Sequence, residues 1–250
     1  YLPMWTYGQS TSWGSLNENE KSSLSNLIQK NSEKNIKLWQ KNAEQILKNL
    51  TESVKMIPCG EDLGVGIPCV PSVMKKHNIL GLRVVRWCRY WDKENQPYVD
   101  FDDYEPLSVV TTSVHDSSTI REWYEKEYQP LIKINELENK EDESAKIKKE
   151  DDDEVDIFSL SKEKEAFSPK IVYKIMKSCS KSASIWYIPP IQDFLYLNKK
   201  YWLENCQDER INIPGTVTKF NWTYRMPVSI ETLSEDEATI EKIREICNRE

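Results

Sequence analysis

The chain is 250 residues long, room for one large domain or two small ones at roughly 100–200 residues each. Lys and Arg number 34 against 41 Asp and Glu, a net charge of −7, which argues against nucleic acid as a partner because phosphate binding needs a cationic surface. No apolar run approaches the ~20 residues that span a bilayer, and nine Trp, twelve Tyr and five Phe argue against disorder throughout, so the composition is that of a water-soluble chain with no membrane partner.

Residues 1–16, rich in Ser, Gly, Tyr and Trp, read as loop. From residue 17 to about 50 the pattern is helical, with Ile36, Trp39, Ala43, Ile46, Leu47 and Leu50 on one face. Asn31-Ser32 predicts a division of this stretch into two helices, with Ser32 as the second N-cap. Residues 54–59 form a short apolar run and the first strand candidate, ending in Gly60-Glu61-Asp62. A helical stretch follows at about 71–77. Residues 81–87, 107–114 and 184–189 are further strand candidates, rich in β-branched residues. Residues 117–128 read as a helix capped by Ser117 or Ser118. The last segment, 234–250, carries Ile240, Ile243 and Ile246 on one helical face.

Strands alternating with helices predict an α/β chain with parallel strands. Charged residues sit just past the strand ends, where a (β/α)8 barrel keeps its active site. Four strands are half of what a closed barrel needs, so the expectation is the C-terminal half of a TIM barrel, filling residues 1–250 after a helical N-terminal segment. Residues 136–156 hold eleven acidic residues and four Lys. They predict a solvated, disordered insertion, set at 136–166 within the barrel. The chain opens on Tyr1 and has no basic–apolar leader, which predicts a piece of a longer protein. Six Cys without a C-x-x-C pair, and only two His, predict reduced thiols in a cytoplasmic protein with no zinc site.

Two carboxylates follow strands, Glu61 and Asp116, a placement that lets both project into one cleft. Paired carboxylates are the equipment of glycosidic bond cleavage: one protonates the departing oxygen, another stabilises the oxocarbenium-like centre. From position alone the plainer reading, helix caps or surface acids, comes first. His115 likewise reads alone as a satisfied core histidine.

The surrounding motifs change that balance. Cys59-Gly-Glu-Asp-Leu-Gly64, Gly81-Leu-Arg-Val-Val-Arg-Trp87, Ser108-Val-Val-Thr-Thr-Ser-Val-His-Asp116, Ser118-Thr-Ile-Arg-Glu-Trp123 and Arg210-Ile-Asn-Ile-Pro-Gly-Thr216 with Asn221-Trp-Thr-Tyr-Arg225 occur in this order. In this order they resemble the 4-alpha-glucanotransferases of glycoside hydrolase family 77, the amylomaltases or disproportionating enzymes. The resemblance covers most of residues 35–130 and 184–230. It implies that Glu61 is the acid/base and Asp116 the carboxylate that grips the sugar as charge develops. It implies that His115 bonds the same sugar, and that Asp62 and Trp87 lie near the donor subsites, although Trp87 reads equally well as a core aromatic. Asn212 and Trp222 belong to the closing motif as scaffold with sugar contact. The partners implied are alpha-1,4-glucan donor and acceptor, and no cofactor or metal.

The resemblance also implies an Arg-x-Asp-His block upstream of Glu61 that carries the nucleophile. Residues 1–60 contain no Asp. The expectation is a chain that needs the upstream half of the same barrel and is inactive alone. Non-catalytic glucan binding and alpha-glucan hydrolysis are the alternatives.

Overall fold

The computed structural model describes residues 3, 4, 6–63, 66–94, 96–128 and 166–248. The acidic stretch expected at 136–166 lies outside them, save its last residue. The chain divides into two compact units, Tyr1–Gly81 and Leu82–Glu250.

In the first unit, a 3-10 turn (Tyr7–Gln9) and a short helix α1 (Thr11–Gly14) occupy the stretch expected to be loop. Ser10 caps α1 by accepting from Trp13 N at 3.1 Å. Helix α2 (Glu18–Ser53) starts at a capping box: Asn17 Oδ1 accepts from Asn19 N and Glu20 N at 3.0 Å, and Glu20 Oε2 accepts from Asn17 N at 2.9 Å. The break predicted at Asn31-Ser32 is absent, and α2 runs unbroken for 36 residues. Ser and Asn lower helix propensity by only a few tenths of a kcal/mol each. A break would instead strand backbone N–H and C=O groups. Gln29 Nε2 donates to Glu33 Oε1 at 3.2 Å, an i,i+4 pair spanning the expected break.

No residue of α2 is buried, and Leu38, Ile46 and Leu50 are exposed. Part of its apolar face does have a partner: Trp39, Ala43 and Leu47 border a groove of about 330 Å3 with Val70, Val73 and Met74. The last three belong to α3 (Val70–Lys76), which Lys76 Nζ ties to Glu44 Oε2 of α2 at 2.6 Å. Strand β1 (Cys59–Gly60) is only the end of the expected run. A Cβ at Gly60 would lie 3.3 Å from Met74 Cε, the tip of a flexible side chain of α3. Asn78, at φ 53°, takes the left-handed conformation just after α3, where asparagine substitutes for glycine. The chain then enters β2 (Leu80–Val84), parallel to β1 with Cys59 opposite Leu80.

The strand order is β1-β2-β3-β4. In the second unit, β3 (Ser108–Thr111) is buried at every residue, as befits a parallel strand covered on both faces. Helix α4 (Ile120–Glu122) follows and continues as a π-helix, Trp123–Tyr128. Its cap is Thr119, accepting from Glu122 N at 3.3 Å, and not Ser117 or Ser118. Helix α5 (Pro169–Lys181), unanticipated in the sequence, starts at Ser168 with proline in its first turn. Strand β4 (Trp186–Tyr187) pairs in parallel with β3. Helices α6 (Ile191–Leu195), α7 (Ile230–Ser234) and α8 (Glu237–Cys247) complete the unit, the last within the expected terminal helix.

The core of this unit joins Val110 of β3, Tyr124 of the π-helix, Ile171, Ile175 and Met176 of α5, Tyr196 at the end of α6, and Ile246 of α8. Both units carry parallel strand pairs with helices, an α/β architecture. Among the described residues no helix is long and apolar enough to cross a membrane.

Candidate active site

The second unit builds a polar cluster beyond the end of β3. A turn over residues 114–117 closes with Ser117 N donating to Val114 O at 3.0 Å and Val114 N donating to Ser117 Oγ at 3.1 Å. His115 and Asp116 are its central residues, and their side chains are about half exposed, at 52% and 50%. His115 Nε2 lies 3.4 Å from Asp116 Oδ2, and Asn212 Nδ2 donates to Asp116 Oδ1 at 2.6 Å. The His115 ring sits 5.2 Å from that of Trp222.

Asn212 and Trp222 come from one locally folded loop. Ile213-Pro-Gly-Thr216 has Pro and Gly in the positions of a type II turn, with Gly215 at φ 74° and Thr216 N donating to Ile213 O at 3.3 Å. Asn221 staples that turn, accepting from Ile213 N at 3.2 Å and donating to Thr216 O at 3.0 Å. Trp222 has φ 66°, a conformation that costs a bulky residue about 1–3 kcal/mol. Its N–H donates to Ile211 O at 2.8 Å, and the residue is 63% exposed, its ring beside His115.

Buried charges support both sides of the cluster. Arg86, 6% exposed, donates to Ser118 Oγ and, at 2.7 Å, to Ser118 O. Burial lowers its guanidinium pKa to about 10, opposed by Glu127 and Asp193. Asp193 is wholly buried in the first turn of α6 and accepts from the Thr112 hydroxyl, four residues before Asp116. Burial pushes its carboxyl up to about 7, against the pull of Thr112 and Arg86. Glu209, 2% exposed, accepts from Leu203 N at 2.9 Å, Arg121 Nη1 at 3.1 Å and the Tyr196 hydroxyl at 2.8 Å.

The residues singled out in the sequence divide between the two units. Asp116, His115 and Asn212 come together in the second. Asp116 caps no helix, and His115 is not a core histidine. Trp87 ends the 3-10 turn Val85–Trp87 after β2 and is 37% exposed. Glu61 and Asp62 lie in the first unit on the loop after β1, Glu61 exposed and Asp62 half-buried. Among the described residues, no three His, Cys, Asp or Glu are grouped to hold a metal ion. Arg86, Asp193, Arg121 and Glu209 were not singled out. Their one signal was a charge set among apolar or aromatic neighbours, as with Arg121-Glu122 between Ile120 and Trp123.

Comparison with known proteins gives this arrangement its context. Residues 7–231 match the family profile described as 4-alpha-glucanotransferase. A 4-alpha-glucanotransferase of Chlamydia trachomatis serovar D is 35% identical over 191 residues, 76% of this chain and 32% of that protein. One of Chlamydia pneumoniae is 33% identical over 203 residues, 80% of this chain and 34% of that protein. The chain thus spans about a third of the length of these relatives. Its fold resembles the amylomaltase from Streptococcus agalactiae, solved in complex with acarbose, at a TM-score of 0.52 and 18% identity, covering 82% of this chain and 34% of that one. The profile match takes in the Glu61 loop, the Asp116 turn and the Asn212 loop alike, and the chain belongs to the 4-alpha-glucanotransferase family, glycoside hydrolase family 77.

Proposed function

We propose that the protein carrying this chain transfers alpha-1,4-glucan segments between maltodextrins by a retaining double displacement. The observation that carries the reading is the half-exposed Asp116 carboxylate, held by Asn212 and flanked by His115, at a strand end within a chain of this family. The amide of Asn212 fixes the direction of that carboxylate without neutralising it, which suits an anion facing an electron-poor sugar ring.

In the first step an aspartate nucleophile attacks C1 of the donor, the glycosidic C1–O bond breaks, and Glu61 gives its proton to the leaving oxygen. In the second, the 4-hydroxyl of an acceptor glucan attacks C1, the ester bond breaks, and Glu61 takes the hydroxyl proton. Asp116 and His115 grip hydroxyls of the donor ring, more strongly as positive charge develops. Asp62 and Trp87 border the donor subsites, Trp87 offering an apolar ring face, and Asn212 holds Asp116. Residues 1–60 contain no Asp, so the nucleophile belongs to another part of the protein, the upstream half of one barrel that Glu61 and Asp116 share. A cytoplasmic setting accords with six free cysteines.

The test is a product assay of the full-length protein with maltotriose. Transfer yields a ladder of longer and shorter maltodextrins. Shorter products alone would indicate a hydrolase, and binding without turnover a glucan-binding remnant. Glu61→Gln is expected to lower transfer by about 10²- to 10⁴-fold. Unchanged rates would remove Glu61 from the acid/base role.

A further inference from the structure

Asn212 Nδ2 donates to the Asp116 carboxylate at 2.6 Å, so whatever holds Asn212 also aims Asp116. Asn212 is only three residues from Glu209. That residue ends the 3-10 turn Cys206–Glu209 and is held on every side. Its Oε1 takes Arg121 Nη1 and Leu203 N, its Oε2 takes the Tyr196 hydroxyl, and its backbone carbonyl takes Gln192 Nε2 at 3.0 Å. Arg121 also donates to Leu203 O at 2.8 Å and stacks at 4.8 Å on the Trp202 ring. The next residue, Arg210, comes within 3.6 Å of Glu122, beside Arg121. Ile211 is then fixed through its carbonyl to Trp222 N. Between a buried anchor and a half-exposed tip, the backbone has little freedom.

The ion pair also connects both sequence motifs that meet at the cluster. Arg121 lies five residues after Asp116 and Glu209 three before Asn212, so one buried contact ties the segment bearing the carboxylate to the segment bearing its partner. A buried charge pair is expensive to keep, and apolar residues of similar volume often fill such space at no loss of stability. Its presence at this place favours a role in geometry.

We propose that the Arg121–Glu209 pair is a positioning device: it sets the 210–212 segment so that Asn212 aims the Asp116 carboxylate, and thereby governs the rate of glucan transfer. This rests on Asp116 being the carboxylate that faces the sugar. Misplacement of a reacting group by about 1 Å costs on the order of 10²-fold in rate.

The experiment is a double-mutant cycle in the full-length protein, with maltotriose as substrate. Glu209→Gln, close in shape and still able to accept hydrogen bonds, should lower kcat by about ten- to hundredfold with KM within about twofold. Asn212→Ala should lower kcat comparably, and Glu209→Gln should then add less than about twofold in that background. Equal losses in both backgrounds would mean that Glu209 acts on overall packing, and would overturn the proposal, as would an unaltered kcat. If Glu209→Gln does not fold, Tyr196→Phe, which withdraws one hydrogen bond from Glu209, is put through the same cycle and decides in the same way. Asp116→Asn separates the two claims. Full transfer by that variant removes the reading of Asp116 and the inference with it, whereas its inactivity alongside independent Glu209 and Asn212 losses removes the inference alone.

Discussion

Asp193 shows how one side chain couples the cluster to solution conditions. Its Oδ2 takes the Thr112 hydroxyl, its Oδ1 has no hydrogen-bond partner among the described residues, and burial raises its pKa from 3.8 to about 7 while Thr112 and then Arg86 pull it down. The folded state therefore holds a proton that the unfolded chain releases above pH 3.8. The corresponding stability is fully present below that value and is lost as pH rises towards 7. A shift of this size corresponds to roughly 4 kcal/mol across the window. Asp193→Asn should flatten this decline, read as the urea midpoint of the protein from pH 4 to pH 8. An equally steep decline in the variant would show that Asp193 does not titrate in this range.

At the scale of elements, α5 carries the second unit. Ile171, Val172, Ile175, Met176 and Cys179 of this helix are all fully buried, against β3, the π-helix and α8. Their spacing is that of an amphipathic helix. Ser168 and Pro169 provide the start signals, and Lys181 lies in the last turn. Ile175→Ala should cost about 2–5 kcal/mol, from lost burial and the cavity left behind. Ile230→Ala, at a residue 70% exposed at the start of α7, should cost less than about 0.5 kcal/mol. Thermal melts of the two variants make the comparison. Helix α2 is the opposite case, long and well capped yet with nothing buried. Its continuity comes from local hydrogen bonds and side-chain pairs such as Gln29–Glu33.

At the scale of the whole molecule, the two units carry different parts of the proposed chemistry. The loop after β1 bears Glu61, and the turn and loop of the second unit bear Asp116 and Asn212. A groove of about 910 Å3 lies within the first unit, along α2 and the N-terminal turn, bordered by Tyr7, Trp13, Leu24 and Ile36, and includes none of the proposed site residues. With a nucleophile required about 5 Å from the acid/base in a retaining mechanism, this chain purified by itself should form no maltodextrin ladder from maltotriose. A ladder from the chain alone would mean that a residue within it serves as nucleophile.

Much of this architecture was legible in local pattern. Three strand candidates, at 81–87, 107–114 and 184–189, contain the cores of β2, β3 and β4, and the terminal isoleucines foretold α8. Those features depend on side-chain periodicity and β-branching, which act over a few residues. The order of the motifs was enough to indicate the family. The strand after residue 54 shrank to two residues, because pairing with β2 begins only at Cys59. The single long α2 and the Thr119 cap were decided by which backbone groups found partners. Tertiary structure alone decided that Asn212 meets Asp116 across 96 positions of sequence and that Glu209 meets Arg121 across 88. Such contacts join residues with no local periodicity in common, and a buried charge reads as a surface charge until its partner is known.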